Sequence, residues 1–79
     1  MAKPRMKYHF EPSRPGDEIL IIGRGLWSKG LTYEEARKNY PFTLKEHHIY
    51  SCHPETRVDG DGYVLFPRGH DIIKLATFT

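Results

Sequence analysis

Four consecutive large aliphatic residues, Ile19-Leu20-Ile21-Ile22, lie between Glu18 and Gly23 and constrain the fold more than any other stretch. Strand side chains alternate between the two faces of a sheet. An unbroken apolar run is therefore hidden only if both faces are covered or the strand is central. In a chain of 79 residues this predicts the middle strand of the only sheet. A glycine-rich elbow, Gly23-Arg24-Gly25-Leu26-Trp27-Ser28-Lys29-Gly30, follows and carries the sole tryptophan.

The elbow leads into a helix start. Thr32-Tyr33-Glu34-Glu35 matches a capping box, with Thr32 as N-cap and Glu35 three residues on. Tyr33, Ala36, Arg37 and Tyr40 share one face at helical spacing, and Pro41 ends the helix within about two turns. So short a helix needs a sheet to pack on. The segment Gly30-Leu31-Thr32-Tyr33-Glu34-Glu35-Ala36 resembles the strand–loop–helix start of HicB-like antitoxins and other small β-β-α proteins, over those residues alone.

On the N-terminal side, residues 1–5 read as a flexible arm, and Met6–Phe10 alternates apolar and polar like a half-buried strand. Pro12–Asp17 is a connection short enough to favour an antiparallel pair between that strand and Glu18–Gly23. After the helix, strands are expected over Lys45–His53, Tyr63–Phe66 and Ile72–Phe78, with Asp59-Gly60-Asp61-Gly62 the clearest turn. Pro54–Val58 is expected to prolong the third strand into a long bent hairpin. The fold class is α+β: one domain over residues 1–79, a small antiparallel sheet of four to five strands, and one short helix on one face, in the order β-β-α-β-β-β.

Size and charge exclude several functions. One cysteine, Cys52, cannot form an internal disulfide, and the basic start is followed by no apolar run, so the expected location is cytoplasmic, without a membrane partner. A formal charge of +2 is too even for a dedicated nucleic-acid binder. Gly23-Arg24-Gly25 lacks both the third glycine of a dinucleotide loop and the Gly-Lys-Ser/Thr of a phosphate loop, so its glycines serve the turn.

His47, His48, Cys52 and His53 form the densest set of candidate metal ligands. On an extended strand, however, His48 and Cys52 share one face about 13 Å apart, with His47 and His53 on the other, so one ion is held only if the chain bulges. The simpler reading is a solvated histidine face with Cys52 as a small buried apolar group, and no cofactor. A Cys52–histidine nucleophile lacks a cleft and an oxyanion site, and no carboxylates pair for acid–base work, so no enzyme is expected.

Aromatic residues make up 13% of the chain, more than one short helix can help to bury. One sheet face is then left partly open, and an open aromatic face implies a partner. The expected function is a small protein-interaction module that regulates or inhibits a larger macromolecule, a build common among accessory proteins of phages and mobile elements. Arg24, Trp27 and Lys29, followed by Tyr50 and Tyr63, are the expected contacts, since aromatic and arginine anchors dominate interfaces. Homodimerisation through an open sheet edge is a variant. Lys3, Arg5, Lys7 and Arg14 beside Tyr8, Tyr50 and Tyr63 support the alternative of single-stranded nucleic-acid binding. A small zinc-binding domain is a second alternative.

Overall fold

The computed structural model describes residues 10–41, 43 and 45–79. The expected strand at Met6–Phe10 lies outside them apart from Phe10, and so does the arm at residues 1–5. The first element described is the aliphatic run, β1 (Glu18–Gly23), followed by β2 (Leu26–Gly30), α1 (Tyr33–Asn39), β3 (His47–Cys52), β4 (Arg57–Val58), β5 (Val64–Leu65) and β6 (Ile73–Phe78). The chain is a small α+β protein: the described residues form a four-stranded antiparallel sheet in the order β2-β1-β3-β6, a separate two-stranded sheet of β4 and β5, and one short helix.

β1 is central, as its composition demands, but its neighbours are β2 and β3. Both of its edges are taken; the expected pairing with Met6–Phe10 falls, apart from Phe10, outside the described residues. The elbow itself supplies one of the two neighbours. Arg24 (φ 50) and Gly25 (φ 76) close a two-residue turn with positive φ at both positions, the type I′ geometry whose twist matches the strands it joins. Leu26–Gly30 then pairs back along β1 from Gly23–Leu26 to Ile19–Gly30.

α1 begins where expected. The Thr32 side chain accepts from the Glu35 backbone N–H at 3.1 Å, and Tyr40 closes the C-terminal end before Pro41. The helix lies directly on Gly30, where a Cβ would stand 2.6 Å from the Ala36 backbone nitrogen. Ile19, Ile21 and Ile49 from the sheet meet Ala36 and Tyr40 from the helix, with Phe10, Tyr33, Leu75 and Phe78 around them. Each buried isoleucine contributes about 1.5–3 kcal/mol. Phe10 sits edge-on to Tyr33 and Phe78, with ring centroids 5.2 and 5.7 Å away.

Beyond β3 the chain does not run on into a bent hairpin. A tight turn, with Thr56 N–H donating to the His53 carbonyl at 2.9 Å, folds it back. β4 and β5 then form a hairpin whose tip is held by the Asp59 carboxylate, which accepts from the backbone N–H groups of Asp61 and Tyr63. β6 returns to pair with β3, with a bulge where the register passes from Ile49–Ala76 to Tyr50–Lys74.

Candidate functional site

Alternation sends Ile19 and Ile21 toward the helix and Glu18, Leu20 and Ile22 to the other side. Paired positions share a face, so the helix-free side carries two cross-strand rows. One runs Trp27, Ile22, His48, Thr77; the other runs Lys29, Leu20, Tyr50, Lys74.

The two rows differ in cover. Lys29, cross-strand from Leu20, reaches the turn that follows β3: its ammonium donates to the carbonyls of Pro54 and, at 3.0 Å, of Thr56, and lies 3.8 Å from the Glu18 carboxylate. Leu20, Cys52 and Thr56 are buried beneath this closure. The other row is left open. Trp27 is 43% exposed, and Ile22 and His48 are partly so. His48 is oriented by Thr77, whose hydroxyl lies 3.1 Å from Nδ1, and its ring stands 6.3 Å from that of Tyr50.

At the end of the sheet beside this row, the β1–β3 register continued two residues past Ile22–His48 sets Arg24 opposite Glu46. The guanidinium meets one carboxylate oxygen through Nη2 at 2.8 Å and Nε at 2.9 Å. Both residues are left-handed, Arg24 at φ 50 and Glu46 at φ 61. That conformation costs a non-glycine residue about 1–2 kcal/mol, whereas an exposed ion pair returns about 0–1 kcal/mol. The side chains are 67% and 52% exposed, so the bridge does not offset its backbone.

The expected contact residues thus separate. Arg24 and Trp27 stand together with Ile22 and His48 at the open end, and Tyr50 borders them. Lys29 acts as an internal staple. Tyr63, 70% exposed, lies away on the β4–β5 hairpin near exposed Leu65 and Phe66. Glu46 and His48 were not singled out as contacts from the sequence, because cross-strand register alone brings them there.

The histidine segment is not the solvated face expected of it. His47 is buried against Tyr40, ring centroids 4.9 Å apart, with Nδ1 left without a hydrogen-bond partner. Tyr40 in turn donates to the Gly23 carbonyl at 2.5 Å. His48 points to the opposite face. His53 stacks obliquely on His70, centroids 4.4 Å apart, and its Nδ1 accepts from the Glu55 N–H. Among the described residues no three of His, Cys, Asp and Glu come together as metal ligands. Cys52 is buried, and that burial raises its thiol above the ordinary 9.0, against a smaller lowering by the Lys29 charge. A protonated buried thiol is a poor nucleophile.

No protein-family model, curated protein or solved structure matches this chain. Among the described residues no helix is long and apolar enough to cross a membrane.

Proposed function

We propose that this chain is a small, non-catalytic protein-interaction module that regulates or inhibits a larger macromolecule by occupying its surface. The contact is the uncovered end of the helix-free sheet face. One observation carries the reading: the only tryptophan lies 43% exposed in a row with Ile22 and His48, while the Lys29–Leu20 half of the neighbouring row is covered by the turn after β3. Trp27 and Arg24 are of the residue types that anchor interfaces.

Strand addition at the β6 edge is disfavoured by its bulge and by exposed Lys74, both of which obstruct edge pairing. The rings of His48 and Tyr50 near Lys74 suit the alternative, single-stranded nucleic acid. Against it, Arg14 is bound to Asp17, Arg24 to Glu46 and Lys29 to backbone carbonyls, which leaves fewer cations for phosphates.

Affinity capture from native lysate, comparing the intact chain with Trp27→Ala, tests the reading: the partner should be held by the first and lost from the second. Equal capture by both places the contact elsewhere. A parallel oligonucleotide titration at about 50 mM salt should show no binding; tight binding that collapses as salt rises selects the nucleic-acid reading.

A further inference from the structure

We propose that in the free protein this open face is covered by a second copy of the chain. A two-fold axis would exchange the Arg24–Glu46 pair, so that Arg24 of each copy meets Glu46 of the other. The inference rests on the reading of this face as the contact surface, and it names the occupant that a partner must displace.

A two-fold interface sets one patch against itself, so the patch must be self-complementary in charge as well as apolar. Here an aromatic and aliphatic row, Trp27 and Ile22 with His48, ends in one guanidinium beside one carboxylate. A patch of a single sign would repel its copy; this balanced one pairs with it. The bridge is solvated in the single chain, where it holds two left-handed residues without offsetting their conformation. Remade between copies beside Trp27, the pair's attraction acts at a lower dielectric, against the cost of desolvating both groups, and a like-charge pair there is strongly penalised. A strongly cationic or anionic partner would find an already neutralised end. At the β6 edge, strand addition is hindered by the bulge and by exposed Lys74.

Sedimentation equilibrium from about 10 µM to about 1 mM, with the fluorescence of the sole tryptophan read in the same samples, tests this. The intact chain should pass from one copy to two as Trp27 emission moves to the blue. Arg24→Glu and Glu46→Arg, each placing like charges in register, should each weaken the dimer at least about tenfold. The double exchange should restore it to within about threefold of the intact chain. Trp27→Ala should abolish it, and thermal melts of all four variants establish that each is folded. A single copy at every concentration overturns the proposal, as does a dimer indifferent to the charge exchange. Neither result touches the lysate comparison, which stands or falls on Trp27 alone.

Discussion

Arg24 and Gly25 occupy adjacent left-handed positions for different reasons. Gly25 carries no Cβ to strain, and nothing lies within 4 Å of where one would stand. Arg24 pays a conformational penalty that asparagine, which tolerates this region, largely avoids. Arg24→Asn should therefore stabilise the fold by about 0.5–1 kcal/mol, after loss of the exposed bridge, raising the melting temperature by about 2–8 °C. The same substitution should weaken partner capture. A melting temperature that falls would mean that the ion pair outweighs the strain. Gly30 is required by proximity instead: Gly30→Ala drives a methyl group against the Ala36 backbone nitrogen 2.6 Å away. The helix must shift, at a cost of about 1–3 kcal/mol, visible as a lower denaturation midpoint.

Among the elements, β2 and the turn after β3 show how local signals were outweighed. Leu26-Trp27 reads equally as elbow or strand, since three glycines surround it. Only the I′ turn at Arg24-Gly25, which aligns Leu26–Gly30 along β1, makes it a strand. The helix was legible to within a residue because its signals are local: the Thr32 cap, the Tyr33–Ala36–Tyr40 face and the Pro41 stop. Thr32→Ala should cost about 1 kcal/mol by denaturant titration. The internal contacts of Lys29 were not legible in the sequence because the carbonyls that hold it, those of Pro54 and Thr56, lie 25 and 27 residues away. Lys29→Met keeps the aliphatic stem but removes all three interactions. It should raise the hydrogen-exchange rates of residues 53–56 more than those of the core, and increased access to Cys52 by a thiol reagent checks it.

For the molecule as a whole, the alkaline limit reflects, among the described residues, the buried Cys52 thiol and the Tyr33 and Tyr40 phenols. Burial raises Cys52 above its ordinary 9.0 and raises Tyr33 and Tyr40 above 10.0, with Arg37 and Arg24 respectively opposing the shift. A group whose value is raised by folding keeps its proton longer in the native chain. Its contribution is full below the ordinary value and is lost as pH climbs through the folded one. Stability should thus begin to fall above about pH 9 and fall further above about pH 10. Denaturant midpoints for Cys52→Ala should stay flat to about pH 10, the first decline having been removed.

From its residues alone this chain disclosed a central β1, a capped α1 packed on one face, and more rings than that helix can shelter, since apolar runs, caps and prolines act within a few positions. Which end of the opposite face stays open was decided in three dimensions. Register places Trp27, Ile22 and His48 in one row and Arg24 across from Glu46, and the Lys29 staple covers the Lys29–Leu20 half of the neighbouring row. Those contacts join residues distant along the chain, and their sequence spacing carries no periodic signal.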